Sequence, residues 1–142
     1  MDLGIDQTTA DGLHRYVGQV ADALALTGNT YCLDLARPMN AYLALDTRLP
    51  RFPHCDTALL WDERCGWAGT LEADARSELT VLTYLGGDVL PSPRTVARFG
   101  FAFVADRLPR NGSLPEFRGT GHDELLRRLA RYAQPIPVDA IR

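Results

Sequence analysis

At 142 residues, 46% of them hydrophobic and 23% charged, the chain is long enough to bury one core without disulfide or metal staples, and its composition excludes wholesale disorder. A formal charge of -3 disfavours nucleic acid or an anionic membrane as the main partner, and no apolar run approaches the ~18 residues of a membrane span. The acidic opening MDLGIDQTTADG lacks the regions of a signal peptide, so the expected setting is the cytoplasm, with Cys32, Cys55 and Cys65 reduced. All fifteen basic residues are arginine, a sign of GC-rich codons and not of function.

Leu13, Tyr16, Val17, Val20 and Leu24 recur at helical spacing and predict an amphipathic helix from Asp11 to Leu26, with Thr9 or Asp11 as cap and Gly28-Asn29 as stop. Five strands follow in TYCLDLA, AYLALDT, TALLWDE, GWAGTLE and LTVLTYL; in the first, Tyr31, Leu33 and Leu35 alternate with Cys32 and Asp34. The joints RCG and ADARSE are too short for parallel crossovers, so at least that half of the sheet is an antiparallel meander. After LGGDVLPSP, the residues Val96, Phe99, Gly100, Phe103 and Val104 predict a helix from Pro93 to Asp106. A linker at 107–120 leads to a last helix at 122–133, with Leu125, Leu126, Leu129 and Ala133 on one side, and a tail at 134–142. The expected architecture is one α+β domain over 1–142 with its core at 11–106. It has an N-terminal helix, a five-stranded, mainly antiparallel meander sheet and two C-terminal helices covering one face.

The stretches AYLALDTRLPRFPHCDTALLWDERCGWAGTLE and LTVLTYLGGDVLPSPRTVARF resemble a family of small actinobacterial proteins known only as a domain of unknown function, over residues 11 to 104. The resemblance implies no activity, cofactor or catalytic residue. The chain departs from that pattern at RFGFAFVADRLPRNGSLPEFR, where a glycine and an aromatic pair weaken or bend the expected helix.

Four places invite a chemical reading. Gly86-Gly87-Asp88 has the look of an anion-binding turn, but Pro91 and Pro93 lack N–H groups, Asp88 repels an anion and the Walker-type lysine is missing. A strand exit accounts for the same residues: glycines at positive φ, Ser92 as cap, Pro93 in the first turn, and Asp88 on nearby amides or free as a partner contact or catalytic carboxylate. The run PHCD offers His54 and Cys55 as a catalytic pair, or zinc held by Cys32, Cys55, Cys65 and His54; sequence neighbours point apart and no Cys-x-x-Cys is present, which favours a surface loop with a partly buried thiol. Trp61 and Trp67 flank a hairpin and form either a ligand wall or core packing, the latter favoured, while Asp62 and Glu63 face opposite ways and make a poor acid–base pair. Arg127, Arg128 and Arg131 on the last helix fit an ordinary solvated face better than a DNA contact.

No convergent catalytic set emerges, and no metal or cofactor is expected. The leading reading is a noncatalytic binding or regulatory module, homodimeric or part of a complex, contacting a protein partner or small ligand through Trp61, Trp67, Asp88 and Arg94. The alternative is a small enzyme with a pocket between sheet and helices, using Asp88, His54, Cys55 or Tyr84.

Overall fold

A computed structural model describes residues 6–26, 31–73, 79–110 and 121–134. The expected stop at Gly28-Asn29, residues 111–120 of the linker and the tail beyond residue 134 lie outside these. The element order is α1 (Gln7–Ala23), β1 (Tyr31–Asp34), β2 (Asn40–Ala44), β3 (Cys55–Asp62), β4 (Gly66–Ala73), β5 (Leu79–Tyr84), α2 (Pro93–Val104) and α3 (His122–Ala133). This is the α+β class that the hydrophobic periods predict, and the last helix has the expected bounds. Among the described residues no helix is long and apolar enough to cross a membrane.

The sheet runs β1-β2-β3-β4-β5 with every neighbouring pair antiparallel, so the meander extends through the whole sheet. At the β3–β4 hairpin Asp62 pairs with Gly66, which closes the turn at φ 72°, and Trp61 stands opposite Trp67. Ala41, Leu43, Leu59, Trp61, Trp67 and Leu71 bury the helix-covered face together with Leu13, Tyr16, Val17 and Val20 of α1, Val96, Phe99 and Phe103 of α2, and Leu125 and Leu129 of α3. On the other face the small floor of Ala58, Ala68 and Thr70 is also buried. Tyr42 of β2 reaches over β3 to donate to Glu72 of β4 at 2.8 Å, so this face is partly closed by its own side chains. Burial, and then the Glu72 carboxylate, push the Tyr42 phenol up to about 12.

The first helix differs from expectation at both ends. Asp6, in extended conformation, caps α1 by accepting from the Thr9 N–H at 2.8 Å; neither Thr9 nor Asp11 is the cap. The helix ends at Ala23 with Leu24 as C-cap, and Ala25 beyond it takes φ 60° so that the Ala25 and Leu26 N–H groups bond the Asp22 and Ala21 carbonyls, both at 3.0 Å. That is a Schellman end with alanine where glycine is usual, and no glycine signals it in the sequence. The end of α2 repeats the device at Asp106 (φ 57°), and the Asp106 carboxylate also receives both arms of Arg51 at 2.6 and 2.7 Å.

Two glycines set the spacing between layers. A Cβ at Gly69 would lie 2.6 Å from the Phe103 ring, so β4 leaves room there for α2. A Cβ at Gly12 would lie 1.8 Å from the Leu129 carbonyl oxygen, so α1 and α3 touch backbone to backbone. Gly12→Ala is expected to lower stability by about 1–3 kcal/mol in urea denaturation, because overpacking here can be relieved only by moving a helix. Gly18→Ala on the same helix is the control, since its Cβ finds an ordinary contact of 3.6 Å to the Tyr31 hydroxyl; it should be neutral or stabilising by up to about 1 kcal/mol. Equal losses in the two variants would refute the backbone contact.

Candidate functional site

The segment leaving β5 is held by side chains from three other elements, α1, β3 and α3. Gly86 and Gly87 both have φ 73°, and a Cβ at either would meet nothing within 4 Å; the glycines serve backbone conformation and not close packing. Ser92 accepts from the Thr95 N–H at 3.2 Å as the cap of α2, with Pro93 in the first turn, as the strand-exit reading requires. Between these points three consecutive carbonyls each find a donor. Trp61 Nε1 donates to Val89 O at 2.8 Å, Arg128 Nη2 to Leu90 O at 3.0 Å, and the Tyr16 hydroxyl to Pro91 O at 2.5 Å. The Tyr16 oxygen accepts in turn from Trp67 Nε1 at 3.1 Å, and its ring meets the edge of Tyr132 with centroids 5.0 Å apart. Burial pushes the Tyr16 phenol well above the ordinary tyrosine range, so it stays a donor at any physiological pH.

Asp88 does what the turn chemistry predicts and more. Its Oδ1 accepts from the Leu90 N–H at 3.2 Å, and both its oxygens receive Arg128 at 2.8 and 2.6 Å, a planar two-point pair. The Arg128 guanidinium, helped by the Leu90 and Val89 amides against partial burial, holds the Asp88 carboxyl below the usual carboxylate range. Arg128 therefore departs from the solvated face expected of it; Arg127 and Arg131 remain exposed. Beside the pair lies an open cleft of about 310 Å³ lined by Leu90, Arg128, Arg131 and Tyr132.

The other sequence candidates are dispersed. Trp61 and Trp67 are 0% and 1% exposed, so the indoles belong to the core and their N–H groups to the framework. Cys55 begins β3 and Cys65 lies in the hairpin turn at its far end, about 20 Å away along the strand, while Cys32 is exposed on β1. His54 is exposed beside Cys55, whose side chain packs against the core. Tyr84 stands opposite Ala68, toward the other end of the sheet, and Arg94 is exposed in the first turn of α2. Among the described residues no three His, Cys, Asp or Glu side chains cluster so as to hold a metal.

Glu63, which the sequence offers only as half of a poor acid–base pair with Asp62, has a structural place of its own. Its side chain is 8% exposed; Oε1 accepts from the Met39 N–H at 2.7 Å and Oε2 lies 2.8 Å from His122 Nδ1. This carboxylate ties the start of α3, which has no side-chain cap bond, to the entry of β2. The only hint in the sequence is a charged residue beside a turn in an otherwise apolar hairpin.

Residues 16–101, more than half of the chain, match a family profile. The chain belongs to DUF6292, a family of unknown function. No curated protein and no solved structure shows a significant match. The DUF6292 segment begins at Tyr16 and takes in both tryptophans and the Gly86–Pro91 turn; α3, with Arg128, Arg131 and Tyr132, lies beyond it.

Tyr16→Phe removes the donor to Pro91 O and the acceptor of the Trp67 N–H, and should cost about 1–3 kcal/mol. Trp67→Phe should then cost less in the Tyr16→Phe background than in the parent, as denaturation of the four proteins would show; additive losses would mean the two side chains act separately. The Asp88 pair carries a sign in pH. A carboxylate with a lowered folded pKa adds stability above the unfolded value, near 4, and loses it as pH falls through the folded pKa. With the Asp88 side chain 46% exposed the effect is at most about 1 kcal/mol, seen as a flatter acid limb of stability below pH ~4 in Asp88→Asn. An unchanged acid limb in that variant would contradict the pairing.

Proposed function

We propose that the chain is a noncatalytic binding module whose contact surface is the cleft between the β5–α2 turn and α3, occupied by a protein partner or a small ligand. The observation that carries this reading is where the space lies. The helix–sheet interface is filled by Trp61, Trp67 and Tyr16, and beside Leu49, Leu82, Thr83 and Phe103 it holds a hollow of about 10 Å³. Among the outward openings, which include one of about 600 Å³ over His14 and Tyr31 and one of about 130 Å³ beside Gly100 and Phe101, the 310 Å³ cleft is the one walled by the multiply bonded turn. The dispersal of His54, Cys55, Tyr84 and Asp88 supports the same reading, because general acid–base or nucleophilic work needs its groups within hydrogen-bond reach of one another. A homodimer or hetero-complex, a cytoplasmic setting and an actinobacterial source complete the proposal. Of the contact residues anticipated from sequence, Asp88 is bonded to Arg128 of the cleft wall, and Trp61, Trp67 and Arg94 do not line it.

Native mass spectrometry of the full chain tests it. The expected spectrum shows a dimer or a retained adduct that disappears in the charge-reversal variant Arg131→Glu and persists in His54→Ala and Cys55→Ser. A bare monomer in every variant, or a substrate turnover abolished by His54→Ala or Cys55→Ser in a folded protein, would overturn the proposal.

A further inference from the structure

We infer that the cleft is a carboxylate site, taking an organic monoanion whose acid group meets Arg131 and the outer edge of Arg128 and whose apolar body rests on Leu90 and Tyr132. This deepens the binding-module reading and rests on it. The chemistry has an internal precedent. Arg128 already grips one carboxylate in two-point geometry and one carbonyl, and these bonds use three of the five N–H donors of a guanidinium. Asp88 neutralises Arg128, so Arg131, one turn further along α3 and exposed, supplies the excess positive charge at the cleft.

The same surroundings select among anions. Asp88 is within bonding distance of Arg128, and Glu124 sits one helical turn before it and acts on its charge. Two carboxylates so placed repel a phosphate dianion more than a single carboxylate, and a flat carboxylate matches the planar fork that Asp88 already uses. The apolar half of the cleft is built for a ring or short chain. Tyr132 is fixed edge-on against Tyr16, and Leu90 is fixed by the bonds to its own amide and carbonyl. A volume of about 310 Å³ is at the lower end of ligand sites, which limits the body to about one ring.

The test is a titration of the ¹⁵N-labelled full chain followed by NMR, with phenylacetate, its neutral isostere phenylacetamide, inorganic phosphate and a capped peptide carrying Phe-Glu as probes. Phenylacetate should shift the Leu90, Arg131 and Tyr132 signals and bind about three- to tenfold more tightly than phenylacetamide, with phosphate weaker than the acid. Arg131→Gln should erase the preference for acid over amide, and Arg131→Lys should restore part of it. Asp88→Asn, which frees Arg128, should strengthen acid binding. The stronger of phenylacetate and the peptide then identifies a free acid or a protein side chain as the source of the carboxylate. Equal binding of acid and amide, or a preference untouched by Arg131→Gln, overturns the carboxylate assignment while leaving a binding cleft; no shift at these residues with any probe overturns the cleft itself.

Discussion

Three consecutive carbonyls, those of Val89, Leu90 and Pro91, impose the constraint on which the architecture turns. A chain that leaves a sheet edge and enters a helix has no ladder partners for these groups, and an unpaired buried carbonyl costs about 1–3 kcal/mol. Here the donors come from β3, α3 and α1, through Trp61, Arg128 and Tyr16. Solving that local problem brings elements from both ends of the chain onto one turn. Tyr16 has the central place because its single oxygen both donates to the turn and accepts from Trp67, so the helix layer, the sheet and the connection share one hydrogen-bonded point.

The groups that look most chemical in the sequence are mostly committed to this framework. The tryptophans supply N–H donors and volume, Asp88 holds an arginine, and Glu63 holds an amide and a histidine. What stays accessible is the outer rim of the same construction, where the arginines of α3 stand beside the turn. The residues that shape the cleft wall, Arg128 and Tyr132 among them, are also those that anchor the last helix.

Local signals were readable where the physics is local. The alternation of Tyr31, Leu33 and Leu35, the short joints between strands, Ser92-Pro93 and the spacing of Leu125 and Leu129 yield the element order, the antiparallel pairing and the bounds of α3. The Trp61–Trp67 pairing is likewise implied by a hairpin turning at Arg64 to Gly66. What sequence alone does not convey is contact between distant residues. Tyr16 with Pro91, Asp88 with Arg128 and Glu63 with His122 are long-range pairs with no periodic trace, and an arginine on a helix reads as solvated until its partner is placed. The two ends of α1 are hidden in the sequence for a different reason: alanine at Ala25 takes a backbone conformation usually left to glycine, and Asp6 caps from outside the hydrophobic pattern.

The missing side chain at Gly12 determines more than a distance. The Leu129 oxygen lies so near the place of a Gly12 Cβ that only a residue without one lets the two helices approach this closely, the kind of small-residue contact at which weak Cα–H···O bonds between helices recur. The registry of α3 along α1 is thus written in backbone atoms, which cannot change rotamer to absorb an error. Arg128 is the next residue back along α3, so its reach to Asp88 inherits that registry, and an axial slip of the helix would displace the arginine fork from the turn.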